Sequence, residues 1–88
     1  MWAESWSPDS QKFVTGGDDK TVRIYDANTY EMLHSCEFKD RIRGIDWEKS
    51  NGELIVVGDY RGRIYLLDTE LNIVDEAKTK FSRTKPRR

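Results

Sequence analysis

"GGDDKTVRIYD", Gly16 to Asp26, and "VGDYRGRIYLLD", Val57 to Asp68, carry the same pattern twice: glycine turn, alternating apolar strand, aspartate. The interval from Gly16 to Gly58 is 42 residues, and that from Asp26 to Asp68 is again 42. Trp6 and Trp47 are 41 apart, so the copies differ by one residue between tryptophan and glycine. A self-similar period in the low forties is the mark of a repeat architecture in which each copy is one supersecondary unit.

Working outward, each copy divides into four short strand-like runs. In the first they are "MWAESW", "KFVTGG", "TVRIYD" and "MLHSCEF"; in the second, "IRGIDW", "ELIVVG", "RIYLLD" and "IVDEAKTKF". Val22 and Ile24 alternate with Arg23 and Tyr25, the period of two that places side chains on opposite faces of a strand. "SPDSQ", "DDK", "EKSNG" and "DYRG" supply turn residues between the runs. No run shows sustained helical spacing of apolar residues. The expectation is all-β: eight strands in two four-stranded antiparallel units, residues 1–38 and 39–81, followed by a basic segment at 82–88. Four strands in about 41–42 residues describe one blade of a β-propeller.

Composition bounds the rest. Eighty-eight residues form one small domain at most, and the mean hydropathy of −0.82 is polar, with no run near the ~20 apolar residues of a membrane helix. Met1 leads into "WAESWSPD" without the basic and apolar segments of a signal peptide. Cys36 is the single cysteine, which excludes an internal disulfide and suits a reducing compartment. The net charge of −1 conceals a division. From Lys78 onward there are six cations and no acid, leaving nine cations against sixteen acids before it.

The run "WSPDSQKFVTGGDDKTVRIYD" resembles the WD40 repeat, whose pattern joins an S-P-D turn, a small-residue strand and a D-x-x-[IV]-x-[IL]-W-D strand. The resemblance extends over residues 2 to 81. It implies that Asp19 is the structural aspartate of the turn between second and third strands. It also implies that Tyr25-Asp26 and Leu67-Asp68 stand where the family has Trp-Asp. With Trp6 and Trp47, these residues are expected to serve the blades themselves. The departures are the absent G-H dipeptide and Arg61 in the place of the second aspartate. The buried Asp-His-Ser/Thr-Trp hydrogen-bond chain of many such blades is therefore not expected. The strand wording from "GGDDKTVRIYD" to "RIYLLD", with "DEAKTKFSRTKPRR" after it, is similar to the echinoderm microtubule-associated protein-like family, with atypical blades in two linked propellers. That resemblance implies a tubulin or microtubule partner and a cytoplasmic, cytoskeletal or ciliary setting, while the single histidine and the lack of a nucleophile beside a base argue against catalysis.

Candidate chemistry is sparse. His34 and Cys36 share a strand face, but zinc needs four ligands and no second pair exists. "GGDDKT" lacks the Walker spacing and precedes a strand, so it reads as a hairpin turn. Asp9, Asp26, Asp59 and Asp68 fall at turns, where local bonding accounts for them. No nucleophile is poised beside a base, and neither cofactor nor metal is expected. Lys39, Arg41 and Arg43 on the connection between units, with Tyr60 and Arg61 on a hairpin, suit either an acidic protein partner or a solvated loop. Lys85, Arg87 and Arg88 suit the same partner, a nucleic acid, or a plain linker.

A propeller closes from roughly 4–8 blades, and two leave apolar faces open. We expect Val14, Ile24, Val56 and Leu66 to line those faces. The chain then reads as a piece of a longer scaffold packed against neighbouring blades, or as a double blade that closes by assembling copies. Alone, it is expected to associate, aggregate or stay partly unfolded.

Overall fold

The computed structural model describes residues 2–78. The strands are β1 (Trp2–Trp6), β2 (Lys12–Gly17), β3 (Thr21–Asp26), β4 (Met32–Glu37), β5 (Ile42–Trp47), β6 (Ile55–Asp59), β7 (Arg63–Leu67) and β8 (Ile73–Lys78). They form two four-stranded antiparallel sheets, each in chain order, β1-β2-β3-β4 and β5-β6-β7-β8. No helix occurs among the described residues. The all-β, two-sheet expectation holds, and the arrangement is open rather than closed. The last strand is described only to Lys78; the expected continuation to residue 81 and the basic segment at 82–88 lie outside the described residues.

The repeat extends to the backbone. Ser10 and Gly52 (φ 62° and 73°), Lys20 and Gly62 (68° and 85°), and Tyr30 and Leu71 (62° and 65°) occupy matching turns at intervals of 41 or 42 residues. All six adopt the left-handed conformation. In the last pair the amide of Tyr30 donates to the Asp26 carbonyl at 2.8 Å, and that of Leu71 to the Asp68 carbonyl at 3.0 Å. Glycine serves two of these positions in the second unit, whereas the first uses Ser10 and Lys20 at steric cost.

One face of each sheet meets the other in a continuous core. Val14, Val22 and Ile24 from the first sheet are wholly buried with Ile42, Trp47, Ile55, Val57, Tyr65 and Leu67 from the second. The sheets approach closely at Gly16, where a Cβ would stand 2.7 Å from Ile45 Cδ1 and 3.0 Å from Ile42 Cγ2. Burial corrects half of the list of open-face residues. Val14 and Ile24 are sealed at the joint because the second sheet packs on the face that carries them. Val56 remains 37% exposed, with Leu66 half-buried on the outer face. The open face of the first sheet instead carries Trp6, Phe13 and Tyr25, stacked in sequence with ring centroids 5.0 Å and 5.3 Å apart.

Candidate protein-interaction surface

The connection from β4 to β5 and the hairpin from β6 to β7 lie side by side. The amide of Tyr60 donates to the Arg41 carbonyl at 3.2 Å, pinning hairpin to connection. The hairpin is shaped by Asp59, whose Oδ1 accepts the amides of Arg61 and Arg63, each at 2.9 Å. Arg61 stands where the repeat pattern has an aspartate, but the capping carboxylate comes from Asp59, two residues earlier and buried. This is the local bonding expected of Asp59 at a turn, although its counterpart in the first copy is Gly17.

On this base the side chains form a basic, aromatic group. The Arg41 guanidinium lies 4.5 Å from the centre of the Tyr60 ring, and that of Arg43 lies 6.0 Å away. Both distances are within the range where a cation is attracted to the ring face. Asp40 sits within the group: its Oδ2 accepts from Arg61 Nε at 3.0 Å, and its Oδ1 accepts the Arg41 amide at 2.7 Å. The Arg41 amide, then the Arg61 guanidinium, hold the Asp40 carboxyl below the usual aspartate range. One carboxylate thus sets the geometry of two arginines, which remain exposed with Lys39 and Tyr60. The structure brings Arg41, Arg43, Tyr60 and Arg61 together. Arg43, expected on the connection, belongs to β5 and is exposed. Lys85, Arg87 and Arg88 lie outside the described residues.

The residues expected to serve the blades fall as follows. Trp47 is buried, and its Nε1 donates to the Gly52 carbonyl at 2.9 Å. Its counterpart Trp6 is 44% exposed. Tyr25 is half-buried in the aromatic stack. Asp19 Oδ1 accepts the Thr21 amide at 3.2 Å, and its Oδ2 meets Arg23 at 2.8 Å. Asp26 accepts the amides of Asn28 and Thr29, and Asp68 those of Glu70 and Asn72. His34 and Cys36 do share a face, opposite Ile24 and Val22, and partial burial pushes the Cys36 thiol up. Among the described residues no His, Cys, Asp and Glu cluster could hold a metal ion.

Four-stranded antiparallel sheets in chain order, repeating at 41–42 residues and packed face to face, are WD40-type blades. Residues 2–26 match the family described as "WD domain, G-beta repeat", so the chain carries a WD40 repeat. It is 34% identical over 70 residues to "Echinoderm microtubule-associated protein-like 2" of Mus musculus, covering 80% of this chain and 11% of that protein. It is 31% identical over 61 residues to "Eukaryotic translation initiation factor 3 subunit I" of Phaeosphaeria nodorum, covering 69% and 18%. Against "Ribosome biogenesis protein bop1" of Danio rerio the figures are 30% over 67 residues, 76% and 9%. The chain spans a small part of each relative. WD40 repeats build interaction scaffolds for protein partners, and that is the class in which these blades fall.

Proposed function

We propose that the chain acts as a non-catalytic scaffold element that presents Lys39, Arg41, Arg43, Tyr60 and Arg61 to an acidic protein surface. In the protein that contains it, that surface is tubulin or the microtubule, in the cytoplasm, cytoskeleton or cilium. The observation that carries this reading is the pair of exposed guanidiniums, Arg41 and Arg43, over Tyr60, beside an Arg61 that Asp40 holds, on a base pinned by the hairpin's hydrogen bond to the connection. A rigid ring backed by two cations offers apolar contact and charge together, and aromatic and arginine side chains dominate many binding surfaces. Likeness to the microtubule-associated relative supports the choice of partner. In this reading residues 1–38 and 39–81 are the two blades. The basic segment at 82–88, through Lys85, Arg87 and Arg88, adds long-range attraction to the same acidic surface.

Co-sedimentation with microtubules tests it. Binding is expected to weaken with salt, since the Debye length falls from ~10 Å at 0.1 M to ~3 Å at 1 M. Replacing Arg41, Arg43 and Arg61 together by glutamate is expected to weaken binding while circular dichroism stays that of the parent. Each exposed ionic contact is worth roughly 0.2–1 kcal/mol, so the triple change is the informative one. Unchanged binding by the folded triple variant would remove this surface from the site.

A further inference from the structure

An offset of 42 residues carries Val14, Gly16, Val22 and Ile24 onto Val56, Gly58, Ile64 and Leu66. The first set is sealed by the second sheet; in the other set Val56 and Ile64 are 37% and 38% exposed. The opposite faces behave alike. Trp47, Ile55 and Leu67 are buried at the joint, while their counterparts Trp6, Phe13 and Tyr25 line the open face of the first sheet. The chain therefore contains one completed sheet-to-sheet joint and both halves of another.

We propose that the open face of β5–β8 seats the open face of β1–β4 of a second copy of this chain, head to tail. Shape supports it first. At the internal joint Gly16 leaves the space that Ile45 fills. At Gly58 the nearest atom to an added Cβ is the Arg63 carbonyl oxygen at 4.0 Å, and the residue helps to floor an open groove of about 440 Å³ with Arg43, Gly44, Val56 and Ile64. Hydrogen bonding supports it next. The internal joint is fastened by the Trp47 amide, which donates to Ser5 Oγ at 3.0 Å. The counterpart amide, Trp6, points away from β2, because Trp6 and Phe13 lie next to the pair in which the Ser7 amide donates to the Lys12 carbonyl. The counterpart of Ser5 is Asp46, an exposed carboxylate and a stronger acceptor. Charge agrees as well. Glu4 holds the place of Ile45, so it enters the groove that Arg43 borders.

A second copy brings all three features in one register, which makes it the occupant of choice over an arbitrary apolar partner. The contact uses different patches on the two partners, so it propagates until a ring closes or a filament grows.

Sedimentation of the 88-residue chain over a wide concentration range, with two variants, tests the proposal. Gly58→Phe fills the groove from within, at a position with room for a side chain in its own chain. Trp6→Glu sets a carboxylate against Asp46. The parent is expected to self-associate and each variant to sediment as a single chain. Mixed together, the variants are expected to form a one-to-one pair, because each retains the face the other lacks. Gly58→Leu and Trp6→Ser carry the same test should either variant lose its strand circular dichroism. A parent chain that stays single at every concentration overturns the proposal and leaves the face to a further sheet of a longer protein. Self-association of either folded variant at the parent's level, or failure of the mixture to pair, also overturns it.

Discussion

Equivalent positions in the two copies are not equal in energy. Lys20 and Gly62 cap matching hairpins with φ of 68° and 85°, a region that costs a residue bearing a Cβ about 1–2 kcal/mol. Glycine there also loses more freedom on folding, by roughly 0.4–1 kcal/mol. Gly62→Ala is therefore expected to lower stability by about 1 kcal/mol, and Lys20→Gly to leave it unchanged or raise it by up to ~1 kcal/mol, both read from denaturant midpoints. The tryptophans divide in the same way. Trp47 is 2% exposed and tied to Gly52, whereas Trp6 is 44% exposed. Trp47→Ala is expected to cost about 3–5 kcal/mol, a large share of the ~5–15 kcal/mol of a small domain. Trp6→Ala is expected to cost much less, and equal losses by thermal melting would show that exposure is the wrong guide. The interval of 41 residues pairs these two side chains but is blind to the difference, because burial depends on which face another sheet covers.

At the scale of the element, turns are held by carboxylates. Asp9 takes bonds from the Ser7 hydroxyl and the Gln11 amide, Asp26 from Thr29 and Asn28, and Asp68 from Asn72 and Glu70. Glu48 serves the β5–β6 turn through Ser50, Asn51 and Gly52. These bonds hold all four carboxyls below their ordinary pKa values, Asp9 chiefly by the Ser7 hydroxyl and Glu48 chiefly by that of Ser50. A carboxyl whose pKa is lowered on folding adds stability that is full above its unfolded value, near 4, and fades as pH falls through the lower folded value. The denaturant midpoint is expected to hold from neutral pH down to about 5 and to drop below about 4. A midpoint unchanged into that acid range would mean the turn bonds exist equally in the unfolded chain. Asp26 and Asp68 were legible as turn residues from their type and place. Glu48 was not, because glutamate carries no strong turn signal and its counterpart is Ser7.

Among the described residues, the sheet-to-sheet joint is the one large apolar burial, and the two outer faces keep Val56, Ile64, Trp6 and Tyr30 in contact with solvent. Added sheets, whether from another copy or another chain, would raise the melting temperature with the logarithm of their concentration. A melting temperature that rises with concentration is thus expected for the parent chain and not for Gly58→Phe. What the sequence determined by itself was the strand order, the turns and the repeat, since alternation, turn chemistry and a fixed interval are local properties written in the chain. Asp26 could be placed in the repeat on those grounds alone, whereas Asp19 and Tyr25 were placed by the resemblance to the WD40 pattern. Only the tertiary structure decided which face of each sheet is covered, that Asp40 reaches the hairpin through Arg61, and that Arg41 and Arg43 converge on Tyr60. Such contacts join residues about twenty positions apart through two turns and a strand pairing. A period-two pattern names two faces for every strand but carries no label saying which of them another sheet will meet.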